Sequence, residues 1–191
     1  MNYVNRKSDV YYVYQGVTKT GKPKYYVSLK AKSDAGQRID WLPDDFELYE
    51  DPTDARVSVR KKQRSDIHDF ELEFVRDRVA TEAQNVIARV VIQGRSLVIY
   101  ESPNIGNFDD ISQRMGGLPN FAIQKMQSIG QMSPAFRFKL IEKQERIFEA
   151  QRFCFRGSVD DWVSLHHEGP LDELCQSYLK HMGKESFYEL M

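Results

Sequence analysis

An α+β fold made of antiparallel β-hairpins with packed helices is what this sequence predicts, on three observations. Tyr- and Val-rich runs of strand length recur along the chain, separated by Gly, Pro and Asp turn residues. The apolar runs "VIARVVI" and "SLVIYE" flank a short "QGR", which reads as a hairpin. Two stretches, "SDIHDFELEFVRDRVATEAQ" and "PLDELCQSYLKHM", carry apolar residues at helical spacing instead.

The elements follow in order. "DVYYVYQ" and "KYYVSLK" pair across "GVTKTGKPK", and the second strand begins after Pro23, which has no N–H to give a ladder. "FELYE" and "RVSVRK" alternate apolar and polar residues around the turn "DPTD". That alternation puts Phe46, Leu48, Val57 and Val59 on one face. The first helix is expected to start at an N-cap Ser65 and to bury Ile67, Phe70, Phe74 and Val75. The near-continuous apolar strands after it are expected to sit centrally, covered on both faces. Residues 102–134 read as a connecting arm with two short helical patches. Asn107 or Asp109 would cap the first and Gly116–Gly117 end it; the second would run from Pro119 to about Gly130. "FRFKLIE" and "RIFEAQRFCF" are two long strands around "KQE". The last helix has Pro170 at its start, Gly183 at its end and Leu171, Leu174, Cys175, Tyr178, Leu179 and Met182 in one stripe. A final turn, "ESFYEL", docks Phe187 and Leu190. The organisation expected is a lobe over 1–101, the arm over 102–134 and a strand pair plus helix over 135–191, either as two small lobes or joined as one domain.

Composition narrows the function classes. The 191 residues are 41% hydrophobic and 29% charged, which is ordinary for a globular chain. No apolar run reaches the roughly 18–20 residues of a membrane helix, and the N-terminus lacks the apolar core of a secretory signal. Cytoplasmic location and no membrane partner are therefore the expectation. Cys154 and Cys175 are too few for a disulfide scaffold and too far apart for a zinc knuckle, so two free thiols are expected. The net charge of −1 conceals blocks: a basic 1–32, an acidic 33–55, then Arg56, Arg60, Lys61, Lys62 and Arg64. Such blocks are able to pair with one another across a surface.

The stretch "CFRGSVDDWVSLHH" at 154–167 concentrates reactive side chains. Its functional reading has Arg156 clamp an anion while Asp160 or Asp161 acts as base or metal ligand. Its structural reading is a strand, a turn and a cap at Ser158, with Trp162 and Val163 buried. His166 and His167 are adjacent, diverge on any regular backbone and fit a loop before Pro170. Cys154 would share a face with Arg152 and Arg156 if Phe153 and Phe155 face the core, and those cations would favour its thiolate. No phosphate loop, dinucleotide fingerprint, nucleophile elbow or zincin helix is present, so no cofactor and no metal are expected.

A binding role stands against these absences. Lys19, Lys22 and Lys24 sit at a hairpin tip beside Tyr25 and Tyr26, and Arg60, Lys61 and Lys62 add a second basic run. Lysines near aromatic rings contact a nucleic-acid backbone and stack bases; lysines on edge strands also serve to prevent aggregation. "KTGKPKYYVS", "LPDDFELYEDP" and "VSVRK" resemble the N-terminal half, and "FCFRGSVDDWVSL" with "GKESFYEL" the C-terminal half, of an uncharacterised bacterial protein family. That resemblance implies a bacterial cytoplasmic origin and carries over no site residue. The expectation is a non-enzymatic binding protein whose partner is nucleic acid or another protein, with nucleic acid the leading ligand. The alternatives are an enzyme centred on Arg156, Asp160 and Asp161, or a structural oligomer subunit.

Overall fold

The computed structural model describes residues 1–32, 36–84, 86–102, 122, 130–156 and 159–190. It is an α+β protein with three antiparallel sheets. Its contacts divide it into two compact units, residues 1–63 and 64–191.

In the first unit, the runs rich in Tyr and Val become strands because their side chains cover a pleated surface on alternate faces. β1 (Asn2–Val4), β2 (Val10–Val17), β3 (Pro23–Ser28) and β4 (Gln37–Arg38) form a four-stranded sheet in which β2 pairs with the other three. β5 (Phe46–Glu50) and β6 (Val57–Lys61) form a separate hairpin, with Leu48 opposite Val59 and Phe46 opposite Lys61. One face of β2 and β3 turns towards that hairpin: the Tyr25 ring lies 4.9 Å from Phe46, and Tyr3 donates to Glu50 at 2.9 Å. Val13, Tyr14, Ile39, Ala55 and Val57 are buried apolar residues of this unit. The buried Asn5 has its needs met, donating to the Ala55 carbonyl at 2.9 Å and accepting from the Asp9 amide at 2.8 Å. The charge blocks do pair here. Arg6 meets Glu50 at 3.3 Å and donates to the carbonyls of Asp51 and Thr53, which fixes the "DPTD" turn.

The second unit is a five-stranded sheet with helices on one face. α1 (Asp69–Glu82) precedes β7 (Ala88–Gln93) and β8 (Ser96–Glu101). β9 (Ser133–Glu142), β10 (Ile147–Arg156) and β11 (Val159–Gly169) follow, then α2 (Leu171–Tyr178) with 3-10 turns at Leu179–His181 and Glu185–Phe187. The strand order is β11-β10-β9-β8-β7. Large side chains oppose small ones across it, as with Leu97, Phe138 and Ala150 in one row. Val75 and Val79 of α1 and Leu174 and Cys175 of α2 close the core over that row. On the opposite face Val98, Tyr100 and Met132 form a smaller cluster with Val91 and Trp162.

Several expectations are corrected. The sheet runs across residue 101, since β8 pairs with β9, and the division between units falls at Gln63/Arg64. β8 is buried on both faces, but β7 is an edge strand, with Ala88, Val90 and Ile92 packed on the side of α1 and Val91 on the other. The first helix begins at Asp69, because Glu71 reaches back to the His68 amide at 2.8 Å and closes the first turn there. Ser65 instead accepts from Ile67 and donates to the Gly94 carbonyl. Phe70 therefore lies on the outer side of the first turn, 69% exposed and stacked on His68. Of the connecting arm, residues 133–134 already belong to β9, and the helical patches expected around 107–130 lie outside the described residues.

Candidate functional site

The hairpin tip between β2 and β3 is built by its own backbone. Thr18 and Lys22 are bridged by an amide–carbonyl bond of 2.8 Å, the Thr18 hydroxyl accepts from the Lys22 amide at 3.1 Å, and Gly21 takes φ +79°. Only glycine adopts that φ without strain, so the turn is set by its composition. Lys19, Lys22 and Lys24 project from it, all exposed, and form no ion pair among the described residues. Lys24 lies opposite Gly16, which has no side chain to crowd it. On the same face of the sheet as Lys24, the Arg38 guanidinium lies over the Tyr12 ring at 4.6 Å and donates to Asn2 at 2.7 Å. Tyr14 and Tyr26 stack beside it with ring centroids 5.5 Å apart. Sequence reading missed Tyr12 and Arg38, which are separated by 26 positions; the signal was present only as the alternation within "YYVYQ".

The remaining basic residues differ in availability. Arg60 is already engaged, with Glu47 at 2.7 Å and over the Tyr49 ring at 3.6 Å. Lys61 and Lys62 are exposed. Tyr25 points to the opposite face from Lys24, against Phe46, whose cross-strand partner is Lys61. The predicted residues thus gather in one unit but on two faces of it.

The stretch 154–167 is a β-hairpin. β10 and β11 pair from Arg156↔Val159 back to Gln151↔Ser164, and residues 157–158, including the expected cap Ser158, lie outside the described residues. Asp160 and Asp161 are both exposed, and Asp161 accepts from the Trp162 amide at 2.7 Å. As consecutive strand residues they point to opposite faces, so the backbone does not bring them together. Trp162 is half-buried and Val163 exposed, the reverse of full burial. Cys154 and Arg152 face the helices and are buried, while Phe155 is 60% exposed; the core side of β10 is thus the opposite of the one that phenylalanine spacing suggests. The even-numbered residues of β10 share one face throughout, from the core residues Phe148 and Ala150 to Arg152 and Cys154, which leaves Phe153 and Phe155 on the other. β11 bulges opposite Ala150, where Glu149 pairs with Glu168 and Gln151 with Ser164. Arg152, buried with the core, donates to the Leu190 carbonyl at 2.7 Å and ties down the C-terminal turn.

The histidines lie in that bulge, not in a loop. His166 takes φ +52°, and His167 is turned towards α2. Its Nε2 lies 2.9 Å from Glu173 and its Nδ1 3.0 Å from the Tyr178 hydroxyl. Burial pushes the Tyr178 phenol upward. The Glu173 carboxylate only accepts, so Nε2 donates to it, and Nδ1 shares the second bond with the Tyr178 hydroxyl. The carboxylate, imidazole and hydroxyl thus stand in series, as in a catalytic relay. Both ring nitrogens are committed internally, and the series joins β11 to α2. Gly169 leaves room for it: a Cβ there would lie 3.2 Å from Glu173 Oε2.

Among the described residues no three His, Cys, Asp or Glu side chains gather into a metal-binding group, and no helix is long and apolar enough to cross a membrane. No protein-family model, curated protein or solved structure matches the chain.

Proposed function

We propose that this protein is a non-enzymatic nucleic-acid-binding protein whose first unit contacts a single strand through the β2–β3 tip. The supporting observation is the tip itself, which holds Lys19, Lys22 and Lys24 exposed, and without an ion pair among the described residues, on a turn whose shape is fixed by its own hydrogen bonds. Residues 1–63 hold twelve Lys and Arg against nine Asp and Glu, a balance of +3, while the rest of the chain balances at −4. The positive field is therefore local to the unit that carries the tip. Arg38 over Tyr12 adds a flat cationic surface on which a base stacks. The enzymatic alternative has less support, because Asp161 is bonded to backbone and Asp160 points away from it.

The test is fluorescence anisotropy of a labelled oligo-dT strand against salt. Three phosphate contacts predict a log–log slope of about −2 for a single strand. Replacing Lys19, Lys22 and Lys24 together by Ala should abolish most of that slope. A flat salt response, or a triple variant that binds like the parent, would overturn the proposal.

A further inference from the structure

β7 is an edge of the five-stranded sheet: it pairs with β8 and, among the described residues, with no other strand. Two bonds fix the phase of its ladder. The Ser102 amide donates to the Ile87 carbonyl at 2.8 Å, so Ile87 and every second residue after it, Arg89, Val91 and Gln93, turn their backbone groups to β8. Ala88, Val90 and Ile92 turn theirs outward, and the Arg76 guanidinium reaches the Val90 carbonyl from that outer side at 3.4 Å. Between this edge and α1 lies an open groove of about 490 Å³, with Val79, Ala80 and Ala83 on its helix wall and Arg76 and Arg89 among its lining residues. No carboxylate lines it among the described residues.

We propose that this groove takes an extended acidic segment of another protein, which adds to β7 as a further strand. Backbone complementarity selects a strand. Outward N–H and C=O groups at alternate residues are matched in spacing by a second strand and not by a helix. The small side chains of Ala80 and Ala83 leave the groove deep enough for side chains of the ligand. Charge selects the acid. Arg76 Nη1 holds Glu73 at 2.6 Å, while its Nη2 spans to the Val90 carbonyl. An arriving amide takes that carbonyl over, and Nη2 turns to a carboxylate of the ligand, a stronger acceptor than a neutral carbonyl. A second copy of this chain brings the same arginines to the same edge, where like charges meet. The site lies in the second unit and does not depend on the nucleic-acid reading.

The experiment is calorimetric titration of the full chain with the peptide Ac-Val-Glu-Val-Glu-Val-Glu-NH2 and with its glutamine and lysine counterparts. Saturable binding of the glutamate peptide is expected, with the glutamine peptide about tenfold weaker and the lysine peptide weaker still. Methylating every backbone nitrogen of the glutamate peptide should abolish binding, because those nitrogens then have no hydrogen to give the edge. Ala88→Pro removes one outward N–H, leaves the ladder to β8 whole and should weaken binding about fivefold. Arg76→Glu, at an exposed position that leaves the fold intact by circular dichroism, should reverse the preference towards the lysine peptide. The methylated peptide and Arg76→Glu serve if Ala88→Pro misfolds. No binding of the glutamate peptide, equal affinity for all three peptides, or a methylated peptide that binds like its parent would overturn the proposal. So would a dimer of the chain alone that Ala88→Pro dissociates, since it would assign the edge to a second copy.

Discussion

At the scale of the residue, the polar groups inside the second unit decide its behaviour. Glu71 is buried on α1 and paired with Arg146, whose Nε donates to it at 2.8 Å and whose guanidinium also reaches the Asp66 carbonyl. Arg146 holds this geometry from a turn at φ +56°, an unusual conformation for a residue with a side chain. Removing it strands a buried carboxylate, so Arg146→Ala should cost about 3 kcal/mol in urea unfolding. Glu101 gives a stability signature of its own. Burial holds its carboxyl at about 7 in the folded chain against 4.5 for an unperturbed glutamate, so folding favours the protonated form. The parent therefore loses up to about 3 kcal/mol as pH rises from 4.5 through 7, and Glu101→Gln should not. Unfolding curves of both proteins across that window check it; a parallel decline in the two would contradict it. The thiols should be silent. Cys154 and Cys175 are buried, and burial pushes Cys175 up to about 12. Disulfide-exchange labelling at pH 8 should find neither in the native chain and both in guanidinium.

At the scale of the element, strands and helices were legible and their ends were not. "SLVIYE" is apolar at every second residue on both faces, and it becomes β8, the strand buried on both sides. The hairpin it shares with β7 turns through Gly94 at φ +59°, where no atom would meet an added Cβ. Gly94→Ala should then cost about 1 kcal/mol through the backbone alone, measurable by chemical unfolding. The start of α1 was misplaced because Ser65 and His68 each offer a side chain to a nearby amide, and the choice fell to Glu71, which Arg146 holds from 75 positions away. The bulge in β11 was invisible for a similar reason. Nothing in "SLHHEG" marks two extra residues; they appear where Gln151 pairs with Ser164 and Glu149 with Glu168. That bulge turns His167 to Glu173 and Tyr178, a grouping that adjacent histidines in sequence gave no reason to expect.

At the scale of the molecule, the division at Gln63/Arg64 separates a small β unit from one whose core holds twenty buried residues among those described. A unit with that core should fold alone, so residues 64–191 expressed separately should give a single cooperative thermal transition by circular dichroism. Loss of that transition would place essential contacts in residues 1–63. The α+β class, the hairpins and the basic tip at Lys19, Lys22 and Lys24 were determined by the sequence itself, because they depend on neighbours a few positions apart: alternation, turn glycines and helical spacing. Which face of β10 is core, where Arg38 and Tyr12 meet, and how the Glu101 carboxyl comes to accept from the Gly183 amide were decided by tertiary structure alone. Each depends on strand register and on segments distant in the chain, and a single-residue shift in register reverses every side chain beyond it.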